Sequence, residues 1–261
     1  MNLTDIIITP QMVVEKLNKL KSNKAPGTDG LVSDFFLKTS GDNLLTTSII
    51  FRKSLDEGVV PKDLKLANVS AIFKNDTKDN AGNYRPASLT AHACKLLESI
   101  LRDNIIMHIR EFNLINSSQH GFVKNRSCLT NFLKFLEYVC NYIDKGLPVD
   151  VICLDFRKTF DKVPHKRLMV KAHGIEGKIL GWIDDWLNGR KQRVTLKGRE
   201  SDWIGVLSGV SQGSVLGPVL FVIYILTLTV MSALKYLNLQ MTPKLWVWLV
   251  VQRASSSLGR I

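Results

Sequence analysis

No aspartate or glutamate follows Asp202; from Trp203 to Ile261 the chain has only four charged side chains, Lys235, Lys244, Arg253 and Arg260, all basic. A soluble domain rarely runs that far without a carboxylate, so this stretch requires its own explanation. Cysteine is also scarce. Cys94, Cys128, Cys140 and Cys153 are widely spaced with no C-x-x-C pair, which argues against a disulfide framework and for a reducing compartment, nucleus or cytoplasm. His92, His108, His120, His165 and His173 show no paired ligand spacing with those cysteines, which argues against a zinc site. The opening residues lack the basic and apolar regions of a secretory signal, the first basic residue being Lys16, so the expected location is intracellular and not secreted. Neither an internal repeat nor a low-complexity linker is present.

What the chain does have is positive charge. Its 261 residues carry 35 Lys+Arg against 23 Asp+Glu, a net charge of +12 with a pI near 9.6. That balance excludes an acidic scaffold and points to a polyanionic partner. Hydrophobic residues at 45% and charged residues at 22% are ordinary globular values, so a packed core is expected.

Hydrophobic periodicity sketches the elements. Val13, Val14, Leu17 and Leu20 recur at helical spacing and end in the basic run Lys19–Lys24. Ala25-Pro26-Gly27-Thr28-Asp29-Gly30 interrupts regular structure, and residues 31–56 read again as helical. Leu66–Phe73 is an apolar, β-branched strand; Lys74–Tyr84 is a polar loop; a helix is expected over about Ala87–Ile109. Leu129–Ile143 reads as a helix, and Val149–Phe156 as a buried strand ending in an acid. Gly177–Leu187 reads as a helix, with strands at Gln192–Leu196 and Trp203–Leu207. Helices and strands mix in one α+β unit.

Three constellations carry possible chemistry. The apolar run Val151–Leu154 delivers Asp155 at a strand end, where an acid often does no more than stop the strand or cap a helix. The basic stretch that follows, Arg157–Lys166, favours a site where Mg²⁺ meets phosphate oxygens. Ser208–Ser214 is a small-residue turn with one amide side chain, Gln212; glycine in such a turn permits close approach of backbone or ligand. Lys74 and Arg85 place two cations around a flexible loop, as triphosphate binding requires, although either alone reads as a solvated surface charge.

Taken together, the segments resemble one family. In order they are Lys24–Gly30, Ala67–Lys74, Asn83–Thr90, Gln119–Phe122 with Arg126–Cys128, Leu154–His165 and Ser208–Pro218. They are similar to the reverse transcriptase domain of non-LTR, jockey-like retrotransposons over roughly residues 10–225. The resemblance implies right-hand polymerase fingers and a partial palm with the thumb absent, copying RNA into DNA by two-Mg²⁺ phosphoryl transfer. RNA template, DNA primer and dNTP are the implied partners. It also implies roles: Asp155 as metal-binding carboxylate with the Phe156 carbonyl as a further oxygen ligand, and Phe160 as the steric gate against a ribose 2′-OH. Lys74 and Arg85 would hold the triphosphate, and Gln212 and Gly213 would lie against the nucleotide. Ser211 departs from the proline usual in the family.

The family's second acidic motif is expected within about twenty residues of Tyr224-Ile225, where no acid occurs. Codons can be chosen for Asn238–Lys244 such that reading from each third base gives Phe-Ala-Asp-Asp-Thr-Lys, the missing motif. The domain division expected is therefore 1–225, fingers and partial palm, and 226–261, an out-of-frame hydrophobic and basic tail. Two rival readings stand beside this. The uncharged run Val215–Leu234 is long enough to cross the ~30 Å hydrocarbon core, though it reads better as a buried palm helix joined to accidental apolar sequence. The basic fingers alone fit a nucleic-acid-binding module without catalysis.

Overall fold

Pro10 at the first helical position and the Thr9 side chain, which accepts a hydrogen bond from the Met12 N–H, start helix α1 (Pro10–Leu17). It is the first element of a computed structural model that describes residues 2–38, 44–114, 125–156, 160–165, 170–231, 237–241 and 245–252. The Gln119–Phe122 motif lies outside the described residues. The chain divides into two compact units, Met1–Leu114 with Phe160–Tyr224, and Ile115–Thr159 with Ile225–Ile261.

In the first unit, α2 (Ser33–Lys38) and α3 (Leu44–Glu57) occupy the predicted helical stretch. Strand β1 (Leu66–Phe73) follows, and then β2 (Tyr84–Thr90), antiparallel to it with Phe73 opposite Tyr84 and Ala67 opposite Thr90. The strand β2 corrects the expected helix start at Ala87: residues 84–90 pair with β1 along their whole length, and helix α4 (His92–Glu111) begins only beyond them. Pro86 is tolerated there because β2 is an edge strand. The Ser88 N–H points away from β1, to the Gln212 carbonyl at 2.7 Å, so Pro86, two residues earlier, faces the same outward side and forfeits no ladder bond.

Helix α6 (Gly177–Leu187) and strand β4 (Lys191–Leu196) follow as read. The short strands β5 (Arg199–Glu200) and β6 (Ile204–Gly205) both pair with β4, and β4 runs parallel to β1, giving the order β2-β1-β4-β5. The core sits around α4, whose Leu97, Ile100, Leu101 and Ile105 are fully buried with Trp182 and Trp186 of α6. Helix α7 (Gly217–Met231) begins at the end of the Ser208–Leu216 segment and buries Leu220, Phe221 and Ile223. Among the described residues, no helix is long and apolar enough to cross a membrane.

In the second unit, α5 (Cys128–Asp144) opens with a capping box in which Ser127 and Thr130 exchange side-chain to backbone bonds. Strand β3 (Val149–Phe156) has the predicted bounds. It pairs antiparallel with β8 (Leu245–Gln252), which pairs in turn with β7 (Leu237–Met241), so two strands of the acid-free stretch form a sheet with the strand that carries Asp155.

Candidate functional site

Residues 208–217 form the centre of the site, and their neighbours are defined bond by bond. The turn is docked on the open edge of β2 by the Ser88–Gln212 backbone bond. Gly213 has φ +120°, and an added Cβ would stand 2.4 Å from the Ser88 carbonyl oxygen, so this position admits no side chain without displacing β2. Gly209, at φ +85°, is equally confined against the Asp161 backbone, 2.7 Å from an added Cβ. Ser211 offers its carbonyl to the Ser214 hydroxyl at 2.9 Å, and the Gly217 N–H donates to that hydroxyl oxygen at 3.0 Å. Ser214 closes the turn through these two bonds.

The Gln212 carboxamide is held from both ends. Its Oε1 accepts from Arg85 Nε at 3.3 Å, and its Nε2 donates to Asp161 Oδ1 at 3.1 Å. The two bonds fix which end of the amide faces each neighbour, because a carboxylate accepts only and a guanidinium donates only. Asp161 was not singled out in the sequence. The signal that could have found it was an acid directly after Phe160 in an otherwise basic stretch.

Phe160 stacks on Phe221 of α7, ring centroids 4.4 Å apart at 22°, and its carbonyl accepts from the Val210 N–H at 2.8 Å. His165 Nε2 donates to the Gly209 carbonyl at 2.7 Å, so the segment 160–165 and the turn are stitched together at several points. Arg85, Phe160, Gln212 and Gly213 are thus brought together in the first unit.

Lys74 sits on the same hairpin as Arg85. Its N–H donates to the Asn83 carbonyl at 2.9 Å, and Ile72 lies opposite Arg85 in the register. The period of two puts Lys74 on the face of Ile72 and Arg85, so both cations project from one exposed face of the hairpin.

Asp155 and Phe156 lie on β3, in the second unit; their backbone is described and their side chains lie outside the described part. Asp155 stands opposite Trp246 on β8, and Phe156 opposite Leu245. A pair of Mg²⁺ ions is held chiefly by carboxylate oxygens, and here β7 and β8 supply Leu, Asn, Gln, Met, Trp and Val but no acid. The residues of this sheet do not fit a pair of Mg²⁺ ions.

A mixed α+β fold brings the Gln212–Gly213 turn against the basic hairpin of β1 and β2. Residues 72–240 match the family model described as reverse transcriptase (RNA-dependent DNA polymerase), well over half of the chain, and the chain belongs to that family. The match runs past Ile225, through most of the stretch where the second acidic motif is expected. Among curated relatives, the chain is 30% identical over 219 residues to an RNA-directed DNA polymerase from mobile element jockey of Drosophila funebris, covering 83% of this chain and 24% of that protein. It is 26% identical to a probable RNA-directed DNA polymerase from transposon X-element of Drosophila melanogaster, covering 82% and 24%. It is also 25% identical to a Pol polyprotein from the type-1 retrotransposable element R2 of Popillia japonica, covering 76% and 27%. The chain spans about a quarter of the length of these relatives. It is a reverse transcriptase domain of retrotransposon origin, related to the jockey-like polymerases.

Proposed function

We propose that this 261-residue chain binds primer–template nucleic acid and dNTP but transfers no nucleotide. The observation that carries the reading is the register of the β3–β8 pair. Beside Asp155 the neighbouring strand offers Leu245, Trp246 and Val247 where a second carboxylate would be required. In the intact family, Mg²⁺ supplies the charge that activates the primer hydroxyl and steadies the leaving pyrophosphate. Within the described strands β7 and β8 no second carboxylate stands beside Asp155 to share that work.

The binding half of the reading rests on the first unit, read as the fingers with part of the palm. Lys74 and Arg85 meet the triphosphate from the exposed face of the hairpin, with charge-assisted bonds from the guanidinium. Gln212, fixed between Arg85 and Asp161, presents its remaining amide hydrogen to the nucleotide. Gly213 leaves room for that approach, and Phe160, braced by Phe221, is the gate against a 2′-hydroxyl. The net charge of +12 steers the nucleic-acid backbone.

The stretch 226–261 is read as translation in a shifted frame. The absence of acid in residues 226–261 supports that division, and the family match, which runs to residue 240, counts against it. An Asp-Asp pair in the alternative frame of the coding nucleotides for residues 220–245 is expected, and no such pair would end the idea.

The purified chain tests the main reading directly. With a labelled RNA template and DNA primer, affinity should fall linearly on a log–log plot against salt. Extension with Mg²⁺ and all four dNTPs should stay at the level of an Asp155→Asn variant. Extension above that level would overturn the proposal, and salt-independent association would overturn its binding half.

A further inference from the structure

Glu98 is a fully buried carboxylate in the middle of α4, and the sequence gives it no role beyond an acid in an amphipathic helix. Burying such a group is costly unless its lone pairs are filled. Four donors fill them. Oε1 accepts from Trp186 Nε1 at 3.2 Å and from the Cys94 thiol at 3.2 Å; Oε2 accepts from the N–H groups of Val215 at 2.6 Å and Leu216 at 3.1 Å. The Arg190 guanidinium, buried against the Trp186 ring at 4.3 Å from its centre, adds a compensating charge.

The two backbone donors are the informative ones. Val215 and Leu216 close the Gln212–Gly213 turn and precede α7, where a helix start presents free N–H groups and partial positive charge. The other end of the turn is held by Ser88, so residues 85–98 grip it twice: Ser88 at Gln212, and Glu98 at Val215 and Leu216. Between the two grips lie the amide and the glycine assigned to the nucleotide. Glu98 touches neither nucleotide nor metal; its reach is through the backbone of the turn.

We infer that Glu98 is a positioning residue that holds the Gln212–Gly213 turn in its nucleotide-binding register, an inference that rests on the nucleotide-site reading above. Glutamine at this position has one acceptor oxygen for four donors, so its NH₂ must face either the turn or Trp186 and Cys94. Trp186→Phe removes one donor to the same carboxylate but leaves the turn bonds intact, and so reports what loss of packing alone does.

The experiment uses the full chain and a fluorescent dNTP in Mg²⁺, with thermal unfolding measured alongside. Glu98→Gln should weaken dNTP binding about tenfold while primer–template affinity stays unchanged. Trp186→Phe should lower the unfolding temperature without altering dNTP affinity. Should Glu98→Gln not fold, Glu98→Asp, which keeps the charge but withdraws it by one methylene, is expected to weaken dNTP binding in the same direction. Equal dNTP affinity in the wild type and the folded Glu98 variant would overturn the inference. Arg85→Ala separates the two levels. If it leaves dNTP affinity intact while the Glu98 variant lowers it, the assignment of Arg85 fails and the positioning role stands. If neither variant changes it, the positioning role fails.

Discussion

At Gly213 a single missing Cβ decides whether the turn can lie on β2. The residue has φ +120°, and the atom that any other residue would add falls 2.4 Å from the Ser88 carbonyl oxygen, in backbone that cannot rotate away. Gly213→Ala is expected to cost about 1–3 kcal/mol of folding stability. The check is the midpoint of urea unfolding, and an unchanged midpoint would mean that β2 yields freely. The side chains around it behave differently. Gln212 is oriented by two opposed partners, so loss of Asp161 frees its amide without opening space. The roles of Asp161 and Glu98 were not legible in the sequence, because an acid among basic or apolar neighbours looks the same whether it is solvated or buried. Their partners, Gln212 and the Val215–Leu216 backbone, lie 51 and about 117 residues away along the chain.

Among the elements, α4 carries most of the core of the first unit. Leu96, Leu97, Ile100, Leu101 and Ile105 form its apolar face, and Glu98 sits within the same buried turn of helix. Leu97→Ala should destabilise the chain by about 2–5 kcal/mol through lost burial and the cavity left behind, read as a shift in the urea midpoint. A loss well under 1 kcal/mol would show that α6 collapses onto the gap. Strands β1 and β3 were legible to their ends because apolar runs with flanking polar residues mark buried strands. Strand β2 was not. Its sequence Tyr84-Arg85-Pro86-Ala87-Ser88-Leu89-Thr90 has the composition of a loop leading into a helix, and it is extended because β1 and the 212 turn pair with its two edges.

On the scale of the whole molecule, charge ties distant parts of the first unit together. Arg52 of α3 binds Asp5 at 2.9 Å and Asp56 at 2.7 Å, and Lys178 of α6 reaches the same two carboxylates. The Lys178 and Arg52 bonds hold the Asp56 carboxyl below its ordinary range. Partial burial works against the ionised form of Asp5, but Arg52, the Ile6 N–H and Lys178 outweigh it, so its carboxyl is lowered too. Carboxyls depressed in the folded state give stability that is present above the unfolded value of about 3.9 and is lost as pH falls through the folded value. The unfolding temperature should therefore hold from about pH 6 to pH 5 and drop below about pH 4. In Asp56→Asn the drop should be shallower, and it should shrink in high salt because these groups are exposed. Parallel pH profiles in the two proteins would sink the idea.

Composition and local pattern determined the mixture of helices and strands, the net positive charge and the lineage of the motifs, because these depend on residue types and short spacings that no folding can change. The tertiary structure decided which residues meet: Arg85 and Asp161 on opposite ends of one amide, Glu98 beneath the turn, and Trp246 opposite Asp155 in the strand register. Those pairings join residues far apart in the chain. Burial, strand register and the pairing of buried polar groups such as the Glu98 carboxylate select them together, and none of these is a property of any one segment.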